Sequence, residues 1–126
     1  MHVIDTNIFL EILLTQEKRE ICKRFLDANV GNLHISDFSL HSIGVILFRN
    51  NKEGIFKKFV EDVIPKVKII GLSKESYKDL PEIKKKFDLD FDDAYQYKVV
   101  KDHNLEIVTM DNDFEKVEHE IKVMFL

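Results

Sequence analysis

The sequence predicts an α/β protein in which a parallel sheet is covered by helices on both faces. Short runs of Val, Ile, Leu and Phe alternate along the chain with stretches of helical apolar spacing, and parallel strands need such helical crossovers between them. Carboxylates stand where the buried strands should end, the edge at which open parallel sheets bind ligands. No internal repeat, low-complexity segment or Pro/Gly-rich linker interrupts the 126 residues, so a single domain over 1–126 is expected.

Strands are predicted at 2–5, 33–36, 67–71, 105–110 and 121–126, each rich in residues that suit a buried pleat. Between the first two, Ile8, Leu10, Ile12, Leu13, Ile21, Phe25 and Leu26 suit two helices within 8–29, broken near Thr15. Leu40, Ile43, Ile46 and Leu47 carry helical spacing over 39–50, and Phe56, Phe59, Val60 and Val63 repeat it over 53–64, where Pro65 stops the helix. Ser73 is a candidate N-cap for a helix reaching Phe87, with Pro81 in a first turn or at a kink. The next helix runs over 93–103 and ends at Asn104, a residue that tolerates a left-handed C′ position.

Composition narrows the function. A net charge of −4 argues against coating nucleic acid through bulk electrostatics, while leaving room for an acidic site with local basic patches. Lys57 with Lys58, Lys66 with Lys68, and Lys84 to Lys86 are candidate patches, although each also reads as a solvated face. No apolar run approaches the roughly 20 residues of a membrane span. Strand-like sequence from residue 2 leaves no room for a leader, and a single cysteine, Cys22, forms no internal disulfide. A cytoplasmic protein is the simplest expectation.

Asp5 closes the first strand, Asp111 closes the fourth with Asp113 two residues on, and Asp93 lies at the start of the helix before it. Carboxylates resist burial and repel one another. A divalent cation with hard oxygen ligands, Mg²⁺ or Mn²⁺, explains such a cluster. Helix capping by Thr6, Asn7 or Asp113 competes with this reading but leaves the strand-terminal Asp5 and Asp111 unexplained. Without metal the cluster should be strained, so Asp5→Asn is expected to stabilise the metal-free fold. Tyr95 and Tyr97 offer rings for a base, but core positions suit them better.

Val3-Ile4-Asp5-Thr6-Asn7, Asp93-Ala94 and Thr109-Met110-Asp111-Asn112-Asp113-Phe114 together resemble the PIN domain, a family best known for the toxin subunits of VapBC-type modules. The resemblance spans essentially the whole chain. It implies a three-layer α/β/α sandwich with a mostly parallel five-stranded sheet of order 3-2-1-4-5, which brings Asp5 and Asp111 together. It further implies a Mg²⁺/Mn²⁺-dependent endoribonuclease. Asp5, Asp93, Asp111 and Asp113 are then the catalytic metal ligands, with Asp113 acting directly or through a water, and Thr6, Asn7 and Thr109 are supporting groups. RNA is the implied substrate, and an antitoxin and a second copy of the chain are the implied partners.

One position departs from the family. A glutamate usually follows early in the helix after strand two, in a pattern beginning with serine. Aligning on Ser36 puts Ser42 there, beside His41. His41 could serve as a substitute ligand or base, although a surface position is favoured for it. The missing acid supports an alternative, a catalytically weak PIN-like module that binds RNA or a protein. A receiver domain would need an acidic pair after strand one and an acceptor aspartate after a central strand, and this chain provides neither.

Overall fold

The computed structural model describes all residues from 1 to 126. Five strands, β1 (His2–Ile4), β2 (Leu33–Ser36), β3 (Lys68–Ile70), β4 (Glu106–Thr109) and β5 (Lys122–Phe125), form one sheet of order β3-β2-β1-β4-β5. Every pairing is parallel, so the sheet is wholly rather than mostly parallel. Six helices connect it: α1 (Thr6–Leu13), α2 (Arg19–Ala28), α3 (Asp37–Arg49), α4 (Glu53–Asp62), α5 (Leu80–Phe87) and α6 (Phe91–His103).

Side chains alternate across a strand, and that alternation builds two cores. Val3 and Ile107 face Leu80, Ile83, Val99, Val100, Phe114 and Val117, from α5, α6 and the turn after β4. Ile4, Ile35 and Val108 face the other way, onto Ile8, Phe9, Cys22, Ile43, Leu47 and Phe59 from α1 to α4. The sheet is therefore the middle of three layers. Its winding reverses between β2 and β4 on either side of β1, so the crevice at the carboxyl ends opens beside Asp5.

Helix starts lie two residues earlier than the apolar spacing predicted at three places, because the caps are polar residues the periodicity does not see. Helix α1 begins at Thr6, and its cap is Asp5, not Thr6 or Asn7. Ser36 caps α3 through a 3.0 Å bond from the Ser39 amide. Asp90 caps α6 through a 3.0 Å bond from the Asp93 amide. The segment after Ser73 is not one helix: a 3₁₀ turn over Glu75–Asp79 precedes α5, with Pro81 in the first turn of α5. Asn104 takes the left-handed conformation (φ 52°) that ends α6. No helix is long and apolar enough to cross a membrane.

Candidate metal centre

Asp5 is 8 % exposed and bonded on both oxygens. Its Oδ1 accepts from the Thr6 amide at 2.8 Å and Gln96 Nε2 at 3.1 Å. Its Oδ2 accepts from Thr109 Oγ1 at 2.7 Å and, more weakly, from Asn7 Nδ2 at 3.5 Å. Capping therefore accounts for part of what Asp5 does, contrary to the sequence expectation, but it uses one oxygen only. Burial pushes the Asp5 carboxyl above its ordinary value, the bonds from Thr109, Gln96 and Thr6 oppose that, and Asp111 adds to it.

The supporting groups form one network. Thr109 Oγ1 also accepts from the Asp111 amide at 2.9 Å, so a single hydroxyl ties Asp5 to the chain that carries Asp111. Asp111 in turn caps the 3₁₀ turn Asn112–Val117, accepting from the Asp113 amide at 2.9 Å. This is the capping role the sequence reading had given to Asp113. Asn7 Oδ1 accepts from the Met110 amide at 3.3 Å, bridging α1 to the end of β4. Thr6 Oγ1 donates to Ser39 Oγ at 2.8 Å, and Gln96 Nε2 donates to the same oxygen at 2.8 Å.

Carboxylate oxygens of Asp93, Asp111 and Asp113 lie within 4.8 Å of one another. Asp93 is buried, Asp111 half-buried and Asp113 exposed. Asp5 stands next to this trio rather than in it, its oxygens turned to Thr109 and Gln96. Asp93 shows what the crowding does: burial first, then Asp111, Asp90, Asp5 and Asp113, push its carboxyl up to about 8. A cleft of about 250 Å³ opens over the group, lined among others by Asp5, Asp93, Asp111, Gln96 and Ser42. Ser42 lines this cleft with Asp5, Asp93 and Asp111. His41 does not line this cleft; it lies on the grooves either side of Asp37.

Sequence reasoning missed Gln96 and Asp37. Gln96 is three residues after Asp93, the spacing that puts two side chains on one helix face, and this was the available signal. Its Oε1 is buried without a partner. Asp37 binds the Tyr95 hydroxyl at 2.5 Å and the Phe38 amide at 2.8 Å, a link across 58 residues that no local pattern announces. Tyr95 and Tyr97 are each 2 % exposed, as core rings.

The PIN domain family model matches residues 2–120, and the chain belongs to the PIN domain family. No curated protein sequence matches it significantly. Among solved structures, the chain is similar to a toxin–antitoxin complex from Klebsiella pneumoniae (21 % identity, TM-score 0.73, 90 % of each chain covered). It is similar to VapC20 of Mycobacterium tuberculosis, a Sarcin-Ricin loop cleaving toxin (14 %, TM-score 0.78, covering 91 % of this chain and 93 % of that one). It is also similar to VapBC2 of Rickettsia felis bound to a promoter DNA fragment (15 %, TM-score 0.78, covering 97 % and 96 %). At these identities the likeness is one of fold. PIN domains are generally nucleases that use divalent metals, and the acidic group lies where the fold binds ligands.

Proposed function

We propose that this chain, read as one domain over 1–126, is a Mg²⁺- or Mn²⁺-dependent endoribonuclease and the toxin of a toxin–antitoxin pair. The observation that carries the reading is the approach of Asp93, Asp111 and Asp113 oxygens to within 4.8 Å of one another, at the edge of a cleft that Asp93 and Asp111 line. Hard oxygen donors with no His or Cys among them suit Mg²⁺ or Mn²⁺. Gln96 lines the same cleft, and its Oε1, buried behind the acids, has no protein partner, the situation an ordered water satisfies. The residues present therefore fit a hydrated cation.

Asp93, Asp111 and Asp113 would hold the ion, and Asp5 adds a fourth charge from the end of β1. When bound, the cation stabilises charge on the phosphodiester and lowers the pKa of a water for in-line attack. Thr109 holds Asp5 and the Asp111 backbone in register, Asn7 holds the β4 end against α1, and Thr6 acts through Ser39. Burial and the neighbouring acids push the Asp93 carboxyl well above its ordinary value, so in the metal-free protein it holds a proton more tightly than a free carboxyl and must release it to bind. Metal affinity should therefore rise with pH.

The Sarcin-Ricin loop cleaving toxin and the toxin–antitoxin complexes among the similar structures favour RNA as substrate and an antitoxin as partner. The reading also takes in a second copy of the chain and a cytoplasmic location. The test is a panel of RNAs incubated with Mg²⁺, Mn²⁺ or EDTA, for wild type and Asp93→Asn. Cleavage that needs metal and Asp93 is the expected result. Cleavage that survives both EDTA and Asp93→Asn refutes the assignment. Ser42, a hydroxyl on the cleft wall where the family usually has an acid, favours a second reading as a weakly catalytic RNA- or protein-binding module. Metal binding with no cleavage of any RNA would select it.

A further inference from the structure

Aromatic side chains crowd the rim of the acidic cleft, and the chemistry proposed above uses none of them. Phe38, at the start of α3, is a wall of that cleft. It is also a wall of a neighbouring pocket of about 360 Å³, together with Asp37, Tyr77, Phe91 and Tyr95. Tyr77 and Phe91 then line a third pocket, also about 360 Å³, with Pro81 and Lys84. The three spaces run in succession, Phe38 shared by the first two and Phe91 with Tyr77 by the last two.

Phe91 is 54 % exposed and Tyr77 46 % exposed. Single exposed apolar residues need no explanation, but these two belong to a connected group. Phe91 lies 6.5 Å from Phe38 and 6.2 Å from Tyr95, and Tyr77 lies 5.9 Å from Tyr95, all between ring centroids. Tyr95 is buried and its hydroxyl is held by Asp37, so the exposed rings lean on a fixed base. Phe91 contributes nothing to the cap of α6, which Asp90 provides.

We propose that Phe91 and Tyr77 form a stacking platform for unpaired bases of RNA, next to the nucleotide whose phosphate lies over the acids. The proposal rests on the nuclease reading, and the platform engages only unpaired bases, because paired bases do not present their faces. Aromatic stacking accepts any base. A protein of net charge −4 gains little from bulk phosphate attraction, and ring contacts supply affinity that does not depend on net charge. Asp37 supplies an edge contact in the middle pocket. Its Oδ1 is engaged by Tyr95 and Phe38, while its Oδ2 accepts no bond from the protein and packs against Gly71, so a base amino group such as that of cytosine or adenine would meet it from the pocket side only. Lys84 in the third pocket offers a cation to the following phosphate.

The test uses single-stranded RNA octamers containing 2-aminopurine, with wild-type protein in EDTA so that nothing is cut. Binding should quench the fluorescence. Phe91→Ala should weaken binding by roughly fivefold or more and restore the signal, and Phe91→Leu, which keeps the bulk without the ring, should behave alike. Phe91→Tyr should retain quenching, as should Val30→Ala, a 58 % exposed apolar side chain before β2. Unchanged quenching in both Phe91→Ala and Tyr77→Ala overturns the proposal. So does a loss of binding that accompanies conversion of a dimer to a monomer in light scattering, since the ring would then lie between two copies. If wild type and Phe91→Ala cut RNA equally well with Mn²⁺, the platform fails and the nuclease stands. If wild type cuts nothing but quenching depends on Phe91, the platform stands and the nuclease fails.

Discussion

Asp5 and Asp93 are both buried acids, yet their surroundings make opposite demands on a substitution. Every group that touches the Asp5 carboxylate is a donor: the Thr6 amide, Gln96, Thr109 and Asn7. An asparagine there would turn an amide nitrogen toward at least one of them, so Asp5→Asn should cost about 1 kcal/mol or more rather than stabilise the fold as the sequence alone suggested. No protein donor reaches the Asp93 carboxylate within hydrogen-bonding distance, and its carboxyl is pushed up to about 8, chiefly by burial. A folded-state pKa above the unfolded value near 4 means the native state holds the proton more tightly. The stability this contributes is complete below pH 4 and is lost as pH rises toward 8. Metal-free wild type should therefore melt at a lower temperature at pH 8 than at pH 5, by differential scanning calorimetry in EDTA. Asp93→Asn should raise the pH 8 value and flatten the slope. A slope unchanged in Asp93→Asn would mean that another group carries it.

Between elements, contacts that join β3, α3 and α6 hold the pocket beside the acidic cleft. The Leu72 amide after β3 donates to the Tyr95 hydroxyl at 3.4 Å, and that hydroxyl donates to Asp37 at the start of α3. Gly71 makes room for this: a Cβ there would lie 2.8 Å from Asp37 Oδ2. Gly71→Ala should displace the carboxylate, and Tyr95→Phe should remove its donor. Each is expected to lower the urea midpoint by an amount equivalent to about 1 kcal/mol, and an unaltered midpoint in both would show that the link holds nothing. Further along α3, Ser42 lines the acidic cleft while His41 lies outside it. Ser42→Glu adds a hard oxygen ligand and one more negative charge. Calorimetric titration should find tighter Mn²⁺ binding, while the metal-free protein melts lower because a further carboxylate joins a repelling group. His41→Ala should change neither quantity, and a loss of Mn²⁺ affinity in that variant would assign His41 the role of the missing acid.

For the molecule as a whole, the strands were legible because Val, Ile and Leu runs suit a pleat, but their burial was legible only for the central β1, β2 and β4. The edge strands β3 and β5 are half-buried to exposed, and an apolar run does not tell an edge from a centre. Asn104 was legible because few residues tolerate its φ. The acids were legible because strand-terminal carboxylates are costly without a purpose. What could not be read was which face each acid turns to its neighbours. Asp5 is at once a helix cap and part of the acidic wall, and one residue type serves both. Gln96 and Asp37 act through partners 91 and 58 residues away, and Phe91 and Tyr77 meet only after α6 packs on the turn before α5. The apolar richness of α3 was also visible, and the fold shows where it goes. Leu40, Val45 and Phe48 of α3 meet Phe56 of α4 around an open groove of about 510 Å³. Phe48 remains 58 % exposed, its ring edge-on to Phe56 at 5.9 Å. An apolar groove capped by an exposed ring is the kind of surface a partner covers, and a two-fold pairing brings the same patch from each copy together. Light scattering at micromolar concentration should report twice the mass of one chain. Phe48→Asp, which puts a charge into that seam without touching either buried core, should give a monomer with an unchanged melting temperature at low concentration. A wild-type chain that stays monomeric as its concentration rises would leave the groove free of a second copy.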